Sequence, residues 1–135
     1  MRTLIKHGLI VDPASHVHSK NNLLVEDGRI QGLTAEEPEA DVILDAEGMV
    51  VSPGFVDIHI HGSKGSDFCD AGAEHIETMS AYLGGEGVTA FCGTTMAFDE
   101  PILTNIFNIA KPYINKETGG AVLRGINMDC LLYTS

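Results

Sequence analysis

The sequence predicts an α/β protein in two parts, namely part of a small β-sandwich domain followed by the first βα units of a (β/α)8 barrel. Residues 1–52 hold short apolar stretches separated by turn residues, which is typical of a sandwich or meander. Residues 53–129 alternate strand-like and helix-like patterns in the order β-α-β-α-β, which indicates parallel strands with right-handed crossovers. A closed barrel needs roughly 250 residues, so this chain of 135 residues holds only its opening.

The first part is built from short strands. "TLIKHGLIV" (Thr3–Val11) is strand-like around a central glycine, and two apolar runs flank Asp27-Gly28, a strong hairpin signal. Two further short strands are predicted at 42–44 and 49–51, on either side of a turn at 46–48. The acidic stretch "TAEEPEAD" between these groups is predicted to be a solvated loop.

After Pro53 the pattern changes to alternating strands and helices. "FVDIHI" is predicted to be a strand, and the first helix carries three apolar residues at helical spacing, Ile76, Met79 and Leu83. We expect Asp70 or a neighbour to cap this helix at its N-terminus and Gly84-Gly85 to end it.

The remaining elements are two strands and a second helix. "VTAFCGTTM" and "AVLRGINM" are the strands. The helix between them is expected to start at Asp99, with Pro101 in its first turn, and to kink or end near Pro112. Its apolar stripe comprises Ile102, Ile106, Ile109 and Tyr113. "GSKGSDF" after the first strand is not a G-x-G-x-x-G phosphate fingerprint, which favours a barrel opening over a Rossmann half.

Composition excludes some classes of partner. A net charge of −11 argues against nucleic acid and anionic membranes, both of which need a basic face. The sequence shows neither an 18-residue apolar run nor a signal peptide, so a cytoplasmic protein is expected. The three cysteines, Cys69, Cys92 and Cys130, lack zinc-finger spacing and are expected to be reduced.

Two histidines at the end of "FVDIHI" are the strongest functional signal. His59 and His61 are two residues apart on a strand, so their side chains point to the same face and can share one metal ion. In α/β barrels, chemistry gathers at the C-terminal strand ends. Gly62 and Gly65 are expected to keep the mouth of this site open. A second H-x-H pair, His16 and His18, lies in a polar stretch between strands and is predicted to be part of a solvated loop.

Three neighbouring side chains are candidates for supporting roles. Asp57 faces the same way as His59, and we expect it either to hydrogen-bond an imidazole or to form an ion pair or cap at the base of the barrel. Thr94 and Thr95 end the second barrel strand and are expected to line the same mouth, unless they are ordinary β-branched packing residues.

The motifs around the histidine pair resemble the amidohydrolase superfamily, in which a β-rich N-terminal segment precedes "VSPGFVDIHIHG", the metal-binding strand of a distorted TIM barrel. The continuation "HGSKGSDFCD", then "GVTAFCGTTM" and "GAVLRGINMD", is similar to N-acetylglucosamine-6-phosphate deacetylases. The resemblance covers residues 1–129 and is specific from Gly54 onward. Dihydroorotases usually carry a substrate-binding arginine two residues after H-x-H, and Gly62-Ser63-Lys64 offers none in that register.

The resemblance implies a divalent metal, zinc or iron, bound as one or two ions by His59, His61 and a carboxylate on the third strand. It also implies that an amino-sugar phosphate is the substrate, that a downstream aspartate is the general base, and that the parent enzyme is a homo-oligomer, expected to be a dimer. Asp129 stands where the family has glutamate in a Glu-Gly-Pro-Phe motif, and its side chain is one methylene shorter.

The tail "CLLYTS" (130–135) departs from the family pattern. It is what TGTCTCTTATACACATCT encodes, the end of a common transposon-based sequencing adapter. We therefore expect residues 130–135 to be a translated adapter and the chain to be the front of a longer enzyme. A genuine divergent C-terminus is the alternative. For function, the alternatives are another amidohydrolase, such as a cyclic amidase or dipeptidase, and a non-catalytic relative that keeps the fold without the full metal set.

Overall fold

The computed structural model describes residues 1–129. These residues form two compact units, the first spanning Met1–Pro53 and the second beginning at Gly54. The fold is mixed α/β: the first unit is a β-sheet, and the second alternates strands and helices as a barrel does at its opening. Within the described residues, neither helix is long and apolar enough to cross a lipid bilayer.

The first unit is a single five-stranded sheet. Its strands are β1 (Arg2–Asp12), β2 (Val17–Glu26), β3 (Arg29–Thr34), β4 (Val42–Asp45) and β5 (Val50–Val51). The sheet order is β3-β2-β1-β4, and β5 also pairs with β1. Pairing is antiparallel among β1, β2 and β3, whereas β4 and β5 run parallel to β1.

Turn chemistry explains the hairpins of this sheet. Asp27 and Gly28 connect β2 to β3, and both have positive φ angles, 49° and 73°, as a type I′ turn requires. The Asp27-Gly28 hairpin prediction is therefore confirmed. The polar stretch "SHVHSK" differs from its prediction, because His18 is part of β2 and only residues 13–16 form the turn.

The second unit is built around a parallel three-stranded sheet. Its elements are β6 (Phe55–Ile60), a small antiparallel hairpin of β7 (Gly62–Ser63) and β8 (Ser66–Asp67), α1 (Ala73–Gly85), β9 (Val88–Thr95), α2 (Glu100–Ala110) and β10 (Val122–Met128). The sheet order is β10-β9-β6, and both pairings are parallel. The predicted β-α-β-α-β order is confirmed, with consecutive strands as neighbours.

The helices cover one face of this sheet and bury an apolar core against it. Ile76, Met79 and Leu83 of α1 are all buried there, as their spacing predicts. The stripe on α2 is only partly buried, because Ile106 is 1% exposed whereas Ile102 is 47% exposed. The rest of this core comprises Phe68, Phe91, Ala110, Ala121 and Leu123.

The observed ends of the two helices agree in part with those predicted from the sequence. A short 3-10 turn, Lys111–Tyr113, follows α2 and contains Pro112, so the proline ends the regular helix as expected. The N-cap of α1 is Gly72, a near neighbour of Asp70, and it makes no side-chain capping hydrogen bond. Asp70 instead completes a capping box with Asp67 around the preceding 3-10 turn, Phe68–Asp70.

A buried serine of α1 fixes the chain just before β10. Ser80 Oγ lies 2.6 Å from Thr118 Oγ1 and donates to the carbonyl of Ala121 at 2.7 Å. The backbone N–H of Ala121 donates in return to the carbonyl of Ser80 at 2.9 Å. These contacts fix residues 118–121, which directly precede β10, against α1. Asp129 directly follows β10.

Candidate metal centre

The three predicted metal ligands lie at the C-terminal ends of two strands of the second sheet. His59 is in β6, His61 follows it directly, and Asp129 follows β10. The backbone N–H of Asp129 donates to the carbonyl of Thr95 at 3.2 Å, which extends the pairing with β9 by one residue. The parallel arrangement therefore brings side chains 68 and 70 residues apart in sequence to one edge of the sheet.

The donor atoms of these three side chains converge. The Nε2 atoms of His59 and His61 lie 3.3 Å apart. Asp129 Oδ2 lies 3.4 Å from Nε2 of His61 and 3.8 Å from Nε2 of His59. Among residues 1–129, His59, His61 and Asp129 form the only group of three or more metal-ligating side chains whose donor atoms all lie within 4.8 Å of one another.

These separations suit a single small cation. With bonds of about 2.0–2.1 Å and tetrahedral angles, two ligand atoms of one zinc ion lie about 3.3–3.4 Å apart. Two of the three observed separations equal this value, and the third is wider by about 0.4 Å. Two imidazole nitrogens and a carboxylate oxygen also form a donor set that zinc and iron accept.

The site is open to solvent. The side chains of His59, His61 and Asp129 are 51%, 35% and 53% exposed. Such exposure leaves coordination positions that water or substrate can reach, as catalytic metal sites require. The two imidazole rings meet edge to face, with centroids 5.2 Å apart, so both nitrogens reach the same point without the rings stacking.

Asp57 acts on the backbone of the histidine strand. Its Oδ1 accepts a hydrogen bond from the backbone N–H of His59 at 3.0 Å. Within the described residues, its carboxylate makes no hydrogen bond to either imidazole ring. Asp57 therefore shapes the strand end that carries His59, and the first of the two roles expected for it, a hydrogen bond to an imidazole, is not observed in the described residues.

Gly62 has a different role from the expected one. A Cβ added at Gly62 would lie 2.3 Å from the carbonyl oxygen of Ser66, so the space beside Gly62 is filled by the β7–β8 hairpin. The glycine lets that hairpin fold back directly after His61. Gly65, with a φ of +77°, supplies the left-handed conformation that the hairpin turn needs.

Thr94 and Thr95 are buried at the end of β9, with exposures of 0% and 1%. Within residues 1–129, neither hydroxyl has a hydrogen-bond partner. The carbonyls of both threonines are used, because the Cys69 thiol lies 3.9 Å from the oxygen of Thr94 and Asp129 binds that of Thr95. Thr95 therefore supports the site through its backbone carbonyl, which binds Asp129.

Two further polar side chains, those of Cys69 and Asn127, lie close to the candidate site. Burial raises the pKa of the Cys69 thiol, which keeps it protonated beside the end of β9. Asn127, which the sequence analysis did not single out, places its side-chain Nδ2 3.3 Å from Nδ1 of His59. Its position two residues before Asp129, on the same face of β10, is the sequence signal that could have identified it.

The other histidines lie outside this group. His16 and His18 are both exposed, as predicted for a solvated pair. His7, in the first unit, places its Nδ1 3.0 Å from Asp45 Oδ1 and its Nε2 3.3 Å from Glu37 Oε1. These two carboxylates, Asp45 first, raise the pKa of His7.

Comparison with curated proteins identifies relatives of one superfamily. The chain is 36% identical over 97 residues to a dihydroorotase from Solibacter usitatus, a match covering 68% of this chain and 21% of the relative. It is 32% identical over 111 residues to an N-acetylglucosamine-6-phosphate deacetylase from Bacillus subtilis, covering 78% of this chain and 28% of the relative. The chain belongs to the amidohydrolase superfamily. No family model matches this amidohydrolase chain.

Solved structures agree on the fold of this amidohydrolase chain. The N-acetylglucosamine-6-phosphate deacetylase of Pasteurella multocida has a TM-score of 0.82 and 19% identity, covering 95% of this chain and 34% of that one. The corresponding enzyme of Thermotoga maritima has a TM-score of 0.73 and 28% identity, covering 93% and 31%. The expected fold class, a small β domain followed by the first elements of a TIM barrel, is confirmed.

The chain spans between 21% and 34% of the length of these relatives. Residues 130–135, where the sequence predicts a translated adapter, lie outside the described residues.

Proposed function

We propose that this chain is the N-terminal segment of a metal-dependent deacetylase that hydrolyses the N-acetyl amide of N-acetylglucosamine 6-phosphate. The observation that carries the proposal is the convergence of two imidazole nitrogens and one carboxylate oxygen at adjacent strand ends, with separations of 3.3, 3.4 and 3.8 Å. The structural similarity to deacetylases over nearly the whole chain supports it. Acetate and glucosamine 6-phosphate would be the products, with water added across the amide bond.

The residues of this chain would supply part of the catalytic machinery. His59 and His61 would hold a divalent ion through their Nε2 atoms, and Asp129 would hold it through Oδ2. When bound, such an ion polarises the amide carbonyl and lowers the pKa of water. Asp57, through its bond to the backbone of His59, would keep β6 in the conformation that aims both rings at one point.

The carboxylate at position 129 would be glutamate in the native enzyme. Asp129 is the last described residue before "CLLYTS", and we propose that a native Glu codon was cut there. The 3.8 Å separation from His59 is the widest of the three, and one more methylene would let the carboxylate reach further toward that ring. The general base, the remaining metal ligands and the phosphate contacts would all lie in the part of the parent that follows.

The incomplete barrel supports this proposal. Along β6, at the edge of the second sheet, Phe55, Val56 and Ile58 are 66%, 63% and 70% exposed. Parallel sheets are normally covered on both faces, so such exposure is expected of a sheet that more barrel strands would complete. We therefore expect the isolated chain to be marginally stable and inactive, and the parent to be a cytoplasmic dimer.

A second candidate is a cyclic amidase of the dihydroorotase type. The observation that favours it is the sequence similarity, because the match to the Solibacter usitatus dihydroorotase has the higher identity. Against it, dihydroorotases usually carry a substrate-binding arginine two residues after the second histidine of H-x-H. In this chain the residues after His61 are Gly62, Ser63 and Lys64, and none of them is arginine.

An assay of the full-length parent would decide between these functions. The parent should release acetate from N-acetylglucosamine 6-phosphate and should not cyclise carbamoyl aspartate. Cyclisation without acetate release would favour the second candidate. Turnover of neither substrate, with no bound metal, would favour a non-catalytic relative. Acetate release by the 135-residue chain alone would refute the proposal that the catalytic base lies outside it.

A further inference from the structure

The side chain of Asn127 contacts the ring of His59 on the side opposite the metal-facing nitrogen. Its Nδ2 lies 3.3 Å from Nδ1 of His59 and donates to the carbonyl of Ile58 at 3.1 Å. Asn127 lies on β10, and β9 separates β10 from β6, which carries His59. The amide therefore connects the two strands that provide the candidate metal ligands.

We propose that Asn127 is a positioning residue for His59 and that its amide rotates when a metal ion binds. This inference rests on the proposed function, because it needs an ion at His59. In the present arrangement the amide N–H donates to Nδ1, which favours the tautomer with its proton on Nε2. That tautomer lets Nε2 of His59 donate to Nε2 of His61, 3.3 Å away.

A His59 ring that binds an ion needs the other tautomer. A ligating histidine binds through the unprotonated nitrogen and donates its other N–H to an acceptor. Rotation of the Asn127 amide by about 180° exchanges its nitrogen and oxygen, so that the oxygen accepts from Nδ1–H. The rotation also brings the amide oxygen to the place of the nitrogen, 3.1 Å from the carbonyl oxygen of Ile58. Two acceptors repel each other at that distance, so the Asn127 side chain must shift slightly away from Ile58 as it rotates.

The metal affinity should therefore depend on an acceptor at position 127. Loss of a partner that orients a metal-ligating residue typically costs about 10- to 100-fold in affinity. Asn127→Leu keeps a similar volume but offers no acceptor, so it should weaken binding at least tenfold. Asn127→Asp offers a carboxylate that accepts without rotating, so it should bind at least as tightly as the wild type.

The test is a calorimetric titration of the full 135-residue chain with Zn²⁺. High salt weakens but does not remove the attraction between the ion and the charge that Asn127→Asp adds, so the ring NMR is the deciding readout for this variant. Asn108→Leu, at an exposed position of α2, is the matched control and should leave the affinity unchanged. NMR of the histidine rings should show the proton of His59 on Nδ1 in the zinc complex and on Nε2 before zinc is added.

The outcomes separate this inference from the proposed function. Zinc binding that Asn127→Leu leaves within twofold of wild type would overturn the positioning role and leave the metal site standing. An equal loss in Asn127→Leu and Asn127→Asp would also overturn it, because only the donor to Ile58 would then matter. If Asn127→Leu fails to fold, Asn127→Asp and the ring NMR decide alone. Absence of zinc binding in the wild-type chain would overturn this inference, whereas the proposed function is decided by the assay of the full-length parent, which carries the remaining metal ligands.

Discussion

Substitution of Gly120 by alanine should weaken the docking of β10 on α1. A Cβ at this position would lie 2.3 Å from the carbonyl oxygen of Ser80 and 2.8 Å from the backbone nitrogen of Ala81. Both are helix backbone atoms, which cannot move aside as a flexible side chain could. The segment around Gly120 must therefore shift away from the helix, and the hydrogen bond from Ala121 N to the same carbonyl, at 2.9 Å, is lost or lengthened.

The expected cost follows from these two effects. Overpacking of this kind costs about 1–3 kcal/mol, and loss of the hydrogen bond adds roughly 0.5–1.5 kcal/mol, giving about 1.5–4.5 kcal/mol in all. Urea unfolding followed by far-UV circular dichroism measures this difference. Because the free energy of unfolding of the isolated chain is expected to be small, a stabilising osmolyte would keep both proteins folded at the start.

Gly85 provides the matched control for this substitution. It ends α1, and a Cβ there would meet no atom within 4 Å. Gly85→Ala should raise the free energy of unfolding by about 0.5–1 kcal/mol, because alanine loses less backbone entropy in a helix. An unfolding midpoint for Gly120→Ala equal to or above that of Gly85→Ala would refute the packing argument.

Two further predictions concern other buried or charged groups. Thr95→Val removes a buried hydroxyl that has no hydrogen-bond partner within residues 1–129, so the free energy of unfolding should rise by about 1 kcal/mol in urea unfolding. A clear fall in the free energy of unfolding would instead reveal a partner for that hydroxyl. His7→Asn keeps a residue that tolerates the φ of +63° but removes the imidazolium between Asp45 and Glu37. Because the pKa of His7 is raised in the folded state, its stabilising effect is present below about pH 6.5 and disappears as the pH rises through the folded pKa. Wild type should therefore exceed His7→Asn in thermal midpoint at pH 5.5 and match it at pH 9, and a constant difference at both would contradict the ion pairs.

The parts of the fold that follow local rules could be predicted from the sequence. The Asp27-Gly28 hairpin depends on two residues that accept positive φ. The facing of His59 and His61 follows from the two-residue repeat of a strand. The order of parallel strands follows from the alternation of helix and strand patterns together with the handedness rule.

The features that the sequence missed depend on contacts between distant segments. Nothing near Gly62 indicates that the carbonyl of Ser66 would occupy its side-chain space. The exposure of Ile102 reflects how α2 sits on the sheet, which its apolar stripe alone does not define. The contact between Asn127 and His59 needs β10 to lie two strands from β6, so it becomes visible only once the sheet order is known.

The metal content of histidine variants of the full-length parent tests the central claim most directly. His59→Ala with His61→Ala removes two of the three converging donors, whereas His16→Ala with His18→Ala removes an exposed pair of the same spacing. Elemental analysis after purification and dialysis should find the wild-type metal content in the His16/His18 variant and a loss of metal in the His59/His61 variant. Equal metal content in all three proteins would contradict the assignment of His59 and His61 as ligands.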